Sequence, residues 1–251
     1  MFKLKRKKNS SIDTEIPKII IGRGVSGSNN YYRLKDNIIY YSDNGRNKVF
    51  NVESSVAGEG KSTVLINLAA ALARSGKKVL AIDIDLRRPK LHRAFGLLNV
   101  DGISEYMIDE CGLDKLVKKT EYGVDVINRG KKAQNSALIF TSDKFKNLIE
   151  TLKQQYDIIL LDCPPVLLVS DYIHISKFSD ATIFVVSAGV TRRSQLTDAI
   201  ELLRRNNVNI LGTVLTYTHS KKLGAKYGGY YYGGKYYRYM KNNYSEENVQ
   251  W

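Results

Sequence analysis

Apolar and polar positions along the chain fall into two recurring textures. Short, almost wholly aliphatic runs appear at Lys78–Ile84 (KKVLAID), Asp157–Asp162 (DIILLD) and Ala181–Ser187 (ATIFVVS). Runs of this kind read as strands buried on both faces of a parallel sheet. Lys48–Glu53, Val124–Asn128 and Ile210–Thr216 are weaker runs of the same type. Between them lie segments with helical spacing. Lys61–Arg74 is rich in Ala and Leu and is closed by Gly76, and Ser142–Tyr156 places Phe145, Leu148, Ile149 and Leu152 on one face. Arg193–Asn206 is a third helix. Strands alternating with helices predict an α/β fold with a mostly parallel central sheet covered by helices on both faces.

The pattern fails at both ends. Residues 1–47 are polar and basic, with one helix expected around Tyr31–Tyr41. Residues 218–251 are dominated by Gly, Tyr and Lys without apolar periodicity, and are expected to be a disordered tail. The expected organisation is therefore a basic segment (1–47), one α/β domain (48–217) and a tyrosine-rich tail (218–251).

Composition narrows the class. The 251 residues are 43% hydrophobic and 25% charged, which fits a globular domain with tails. The net charge is +14 and is concentrated in the tails, as at Lys3, Lys5, Arg6, Lys7 and Lys8. That permits an anionic partner, a nucleotide or an anionic membrane surface among them. No nucleic-acid reader motif accompanies it, so no nucleic-acid partner is expected. Two cysteines, Cys111 and Cys163, make neither a disulfide framework nor a metal site, and fit a reducing cytoplasm. No stretch reaches the roughly 18 apolar residues a membrane helix needs. The basic start is followed by no apolar core, so it does not read as a signal peptide.

The chemistry is concentrated at strand ends. Ser55-Val-Ala-Gly58-Glu59-Gly60-Lys61-Ser62, followed by Thr63, lies between an expected strand and an expected helix. This is the context of a phosphate-binding P-loop. Its glycines let backbone N–H groups converge on phosphate oxygens at a helix N-terminus. Lys61 would reach the terminal phosphates and the Ser62 hydroxyl would ligate Mg²⁺. The strand at Val79 runs into Asp83-Ile-Asp85-Leu-Arg87-Arg88-Pro89, and the strand at Ile158 ends in Asp162-Cys-Pro-Pro. Carboxylates at the carboxyl ends of parallel strands are placed to meet a ligand there. Like charges so close together call for a cation between them. Asp83, Asp85 and Asp162 are therefore candidate Mg²⁺ ligands, and Arg87 a candidate counter-charge or phosphate contact. His92 follows this segment and is read as structural.

The P-loop, the D-x-D-x-R-R-P segment at Asp83–Pro89 and Asp162-Cys-Pro-Pro together resemble the bacterial tyrosine kinases, a family related to the MinD and ParA ATPases. The tyrosine cluster Tyr227, Tyr230, Tyr231, Tyr232, Tyr236, Tyr237, Tyr239 and Tyr244 is similar to the tail that such kinases autophosphorylate, one subunit acting on another. The resemblance implies a P-loop NTPase fold, ATP and Mg²⁺ as cofactors, and tyrosine transfer with Lys61, Asp83 and Asp85 as catalytic residues. Asp83 would take the tyrosine proton. It also implies a homo-oligomer and a separate transmembrane activator, a polysaccharide co-polymerase. Control of capsule or exopolysaccharide synthesis, a cognate tyrosine phosphatase and a position at the inner face of the cell membrane complete the picture. Two rival classes keep the nucleotide site: a membrane-associated ATPase switch, and an ATP-binding scaffold, neither transferring phosphate to tyrosine.

The resemblance has gaps. Val56 stands where MinD and ParA carry an extra Lys, which favours the kinase branch. Ala57 replaces the Pro usual before Gly-Glu-Gly. Of the E-x-x-R-x-x-R pattern used for ring assembly, only Arg33 is matched. The segment Ala133–Leu138 lacks the expected prolines. Thr216 stands where an Asn often lies near adenine.

Overall fold

The computed structural model describes residues 16–21, 28–42, 45–131 and 136–217. The basic run at Lys3–Lys8, residues 133–135 of the proline-free segment and all eight tail tyrosines lie outside them. By internal contacts the chain divides into Met1–Thr216 and Tyr217–Trp251, and the sheet with its helices belongs to the first.

In chain order the helices are α1 (Ser28–Tyr41), α2 (Lys61–Arg74), α3 (Leu91–Ala94), α4 (Ile103–Met107), α5 (Leu113–Leu116), α6 (Ser136–Thr141), α7 (Asp143–Gln155), α8 (Tyr172–Ile175) and α9 (Arg193–Arg205). The strands are β1 (Val49–Ser54), β2 (Val79–Asp83), β3 (Lys118–Lys119), β4 (Val124–Ile127), β5 (Ile158–Asp162), β6 (Ala181–Ser187) and β7 (Ile210–Thr216). They form one sheet of order β3-β4-β2-β5-β1-β6-β7, parallel except for the two-residue edge strand β3.

The central strands are buried on both sides, and their side chains alternate between two cores. Val79 and Ala81, with Ile158 and Leu160, face α1 and α2 together with Val64, Leu68 and Leu72. Leu80 and Ile82, with Ile159 and Leu161, pack on the other face against Phe145, Leu148, Ile149 and Leu152 of α7. This is the face expected of Ser142–Tyr156. Ser142 caps α7 by accepting from the Phe145 N–H at 3.2 Å. Burying those four side chains stabilises the fold by roughly 1.5–3 kcal/mol each. A smaller cluster holds α8 and α9 through Tyr172, Phe184, Ala199 and Leu203.

Two polar fastenings set the sheet for its site. The Asp180 carboxylate accepts from the Lys48 and Val49 N–H groups at 2.7 and 2.8 Å, anchoring the start of β1. Asn67 of α2 donates to Lys18 O and Thr63 O, each at 2.9 Å, and accepts from Ile20 N–H at 2.7 Å. The segment 16–21 is thereby tied to the helix after the P-loop.

Candidate nucleotide and metal site

All the strands but β3 point the same way, so the loops after β1, β5 and β2 meet at one edge of the sheet. The loop after β1 turns through Gly58 (φ 85°) and Gly60 (φ 93°), both left-handed conformations that a Cβ disfavours. Gly60 is the N-cap of α2 and has no side chain to cap it. The first N–H groups of this 14-residue helix lack acceptors within the helix and are free to meet an anion. Lys61 begins the helix and is buried.

The loop is braced from inside. Glu59 is fully buried; its carboxylate accepts from the Val56 N–H at 2.7 Å and from the Thr191 hydroxyl. Thr191 in turn accepts from the Ser187 N–H at 2.9 Å, linking the loop to the end of β6. Thr216 at the end of β7 donates to Glu59 O at 2.8 Å, and its methyl would lie 3.4 Å from a Cβ added at Gly60. The sequence places Glu59 among the nucleotide contacts; its side chain holds the loop's shape. Thr191 is not legible in the sequence, because nothing near it marks it.

The carboxylates meet beside this loop. Asp83 and Asp162 end neighbouring strands and are direct register partners. Ser62 donates its hydroxyl to Asp162 Oδ2 at 2.6 Å. Asp83 Oδ2 accepts from the Lys90 and Leu91 N–H groups at 2.8 and 2.9 Å. The second oxygen of each, Asp83 Oδ1 and Asp162 Oδ1, is buried without a partner. Burial pushes the Asp162 carboxyl up to about 6, although the Lys61 charge and the Ser62 hydroxyl pull it down. Burial, and then the Asp162 charge, hold Asp83 well above the usual carboxylate range. Two orphaned oxygens on adjacent, mutually repelling carboxylates are the surroundings a divalent cation relieves.

The donor set suits Mg²⁺, which takes one or two carboxylates, a hydroxyl and otherwise water or phosphate oxygens. Among the described residues no group of three His, Cys, Asp or Glu forms a protein-only metal cage, which such a site does not need. Asp85 stands apart. β2 stops at Asp83, so Asp85 lies in the turn beyond it, half-buried, with Oδ1 accepting from the Arg88 N–H at 3.1 Å. Asp83 and Asp85 therefore do not share a strand face. Arg87 is exposed, and Thr63 follows Ser62 on the first turn of α2.

Two further groups sit beneath. Glu53 of β1 is fully buried and is pushed up to about 8, chiefly by burial. Asn51 donates to it at 3.4 Å and the other oxygen has no partner. A glutamate in a strand buried along its whole length is the signal that finds it, and only the structure shows that burial. Cys163 is buried, and burial with the Glu53 and Asp162 charges raises its thiol well above the usual range, so it is not a nucleophile at neutral pH.

A mostly parallel sheet with a P-loop after β1 and paired aspartates at the ends of the adjacent strands β5 and β2 defines a P-loop nucleotide-binding domain. Residues 47–211 match the model of the AAA domain family. The tyrosine-protein kinase YwqD of Bacillus subtilis is 34% identical over 206 residues, spanning 81% of this chain and 86% of that protein. The kinase domain of the Escherichia coli tyrosine kinase ETK superposes with a TM-score of 0.73 at 29% identity, covering 77% of this chain and 76% of that one. The septum site-determining protein MinD of Pyrococcus horikoshii, solved with Mg-ADP, gives a TM-score of 0.59 at 26% identity, covering 70% and 72%. The chain belongs to the bacterial tyrosine kinases. Other curated kinases that match are longer, and the chain spans 23–25% of their length.

Proposed function

We propose that the chain is an ATP-dependent protein-tyrosine autokinase that modifies the cluster Tyr227–Tyr244 of a second copy and so regulates capsule or exopolysaccharide synthesis. The observation that carries the reading is the pair of orphaned buried oxygens, Asp83 Oδ1 and Asp162 Oδ1, beside a glycine-turned loop that presents Lys61 and Ser62.

Each residue has a distinct share of the work. The turn at Gly58 and Gly60 and the N-terminus of α2 bind the phosphates, and Lys61 neutralises the β- and γ-phosphates. Ser62, Asp162 and Asp83 hold Mg²⁺, which neutralises phosphate charge when bound. Asp85 and Arg87, on the turn beside them, complete the charge balance around the acceptor. Asp83 takes the tyrosine proton as the tyrosine oxygen bonds to the γ-phosphorus and ADP departs with the bridging oxygen. The tyrosine hydroxyl, with a pKa near 10, needs a base beside it, and a bound Mg²⁺ would keep the Asp83 carboxyl ionised to act as one. The rest is positioning.

Among the described residues no helix is long and apolar enough to cross a membrane. Attachment to the inner face of the membrane through a separate transmembrane activator, homo-oligomerisation and reversal by a tyrosine phosphatase belong to the same proposal.

The test is autophosphorylation with radiolabelled ATP and Mg²⁺, with and without the activator's cytoplasmic segment, and with Lys61→Met as control. Phosphotyrosine confined to residues 227–244 and absent in Lys61→Met is the expected result. Hydrolysis without phosphotyrosine would refute the reading in favour of an ATPase switch. Nucleotide binding with neither would leave a scaffold.

A further inference from the structure

On the β4 side of the aspartate pair, away from the P-loop, the sheet edge opens into a cleft of about 380 Å³. Arg87, Arg88, Lys90, Arg93 and Arg129 line it, with no Asp or Glu among its lining residues. The site described above uses only Arg87 of these. The cleft is continuous with that site: the Lys90 N–H donates to Asp83 Oδ2 at 2.8 Å, and the Lys90 charge is felt at Asp162. Under the kinase reading the acceptor gives its proton to Asp83, so the residues that flank an acceptor tyrosine have this cleft beside them.

A run of basic residues is ordinarily a solvated surface, and this one is held in shape. The Arg129 guanidinium is clamped, donating to Leu86 O at 3.2 Å and Gly130 O at 3.0 Å. The backbone beneath is fixed by Asn99, which donates to Gly130 O at 2.8 Å and accepts from Gly130 N–H at 3.0 Å. His92 lines the cleft and leaves its Nδ1 buried with no partner. Ile16, Pro17 and Pro89 give one apolar wall, a surface for a ring or an aliphatic stem. The volume is at the low end of small-ligand sites, enough for one or two side chains rather than a polymer strand.

Charge decides which acceptor fits. Guanidinium groups pair two N–H donors with the two oxygens of a carboxylate, and a cationic cleft repels lysine and arginine. The eight clustered tyrosines differ in this respect. Seven of them, Tyr227 to Tyr239, lie in a stretch with Lys226, Lys235, Arg238 and Lys241 and with no acidic residue. Tyr244 alone is followed by carboxylates, Glu246 and Glu247, the only acidic residues after Thr216. We propose that this cleft selects acceptor tyrosines followed two and three residues on by carboxylates, and so makes Tyr244 of a second copy the preferred acceptor, its Glu246 and Glu247 pairing with the guanidinium groups. The selection rests on the kinase reading for its reaction, and acts on the unmodified tyrosine before transfer.

The test uses the full chain with Mg·ADP and three fluorescent peptides: residues 240–249 as they stand, the same with Glu246→Gln and Glu247→Gln, and the same residues with both glutamates moved ahead of Met240. Fluorescence anisotropy should show the natural peptide binding about tenfold more tightly than either control, a single strong charge-assisted pairing being worth that much. Arg93 is exposed, so Arg93→Gln should fold and remove most of the difference, while Arg93→Lys retains part of it; ADP binding in the same samples reports folding. In the full chain with Mg·ATP, mass spectrometry should find Tyr244 labelled first. Glu246→Gln with Glu247→Gln should slow that labelling about tenfold and leave the other tyrosines at their rates. Equal affinity of the natural and Gln peptides, or a preference intact in Arg93→Gln, would overturn the proposal. So would equal binding of the peptide with displaced glutamates, which would reduce the effect to the general pull of a chain of charge +14. The two readings fail separately: a protein that transfers no phosphate yet prefers the natural peptide would refute the kinase reading alone, and an active one that labels Tyr244 no faster than its neighbours would refute the selection alone.

Discussion

Replacing Asp162 by Asn should make the metal-free protein more stable while removing its response to Mg²⁺. Asp162 is buried beside Asp83, and burial raises its carboxyl from 3.8 in the unfolded chain to about 6. The folded state therefore holds a proton that the unfolded state has released, and stability falls as pH rises from about 4 through 6. At pH 8 the ionised carboxylate should cost about 3 kcal/mol, at 1.36 kcal/mol per pKa unit. Asn has the same shape and still accepts from the Ser62 hydroxyl, so the variant should recover most of this. Urea unfolding in EDTA should show a gain of about 2–3 kcal/mol at pH 8 that shrinks towards zero near pH 4. With Mg·ATP the order should reverse, because only the wild type gains the ligand's binding energy. A variant less stable than wild type at pH 8 in EDTA would refute the reasoning: the carboxylate would then be stabilising the metal-free fold.

Three further outcomes are expected. Gly60→Ala places a Cβ at φ 93° and 3.4 Å from Thr216, and should destabilise the fold by about 1–2 kcal/mol in thermal unfolding and abolish calorimetric ATP binding. Glu59→Ala leaves the Val56 N–H and the Thr191 hydroxyl without their acceptor, so KM for ATP should rise about tenfold with kcat less affected; an unchanged KM would show that the brace is dispensable. Glu53, pushed up to about 8 from 4.5, should likewise lower stability as pH rises through that window, by about 4 kcal/mol at its top; Glu53→Gln should flatten the profile between pH 5 and pH 8 in metal-free urea titrations.

The parts of this molecule legible in sequence are those with a strong period or a sharp chemical boundary. Val79–Asp83, Ile158–Asp162 and Ala181–Ser187 are recognisable because strands buried on both faces are continuous aliphatic runs. Helix α7 is recognisable because its apolar stripe is complete. Lys118–Lys119 is invisible, since two exposed or half-buried lysines form a strand only through Val126 and Asp125 opposite them. Helices of four to six residues, such as Leu91–Ala94, are too short to show a period and exist through packing, Leu91 being wholly buried. The sequence carries this strand to Ile84, one residue beyond its end at Asp83, because strand ends are set by the ladder, which local sequence does not encode: the Ile84 N–H still bonds Asp162 O at 3.1 Å, and the chain turns immediately afterwards.

Sheet order is the other quantity that local sequence withholds, and it arranges the charges. The order β1, β5, β2, β4 puts the P-loop, Asp162, Asp83 and Arg129 at successive strand ends, spaced about 4.8 Å per strand. Across the sheet, the edge is positive at Lys61, negative at the aspartate pair and positive again from Lys90 to Arg129. In sequence these groups are scattered, Asp162 lying beyond Arg129, and no such alternation can be seen. A central anionic pair flanked on both sides by cationic walls can hold a cation in the middle and an anion on each side. Under the kinase reading, the nucleotide phosphates occupy the Lys61 wall, which leaves the side of Lys90 and Arg129 for the acceptor. The geometry that makes the metal-free carboxylates unstable is thus the same geometry that would hold a cation, and Asp162→Asn, which relieves the first, should remove the second.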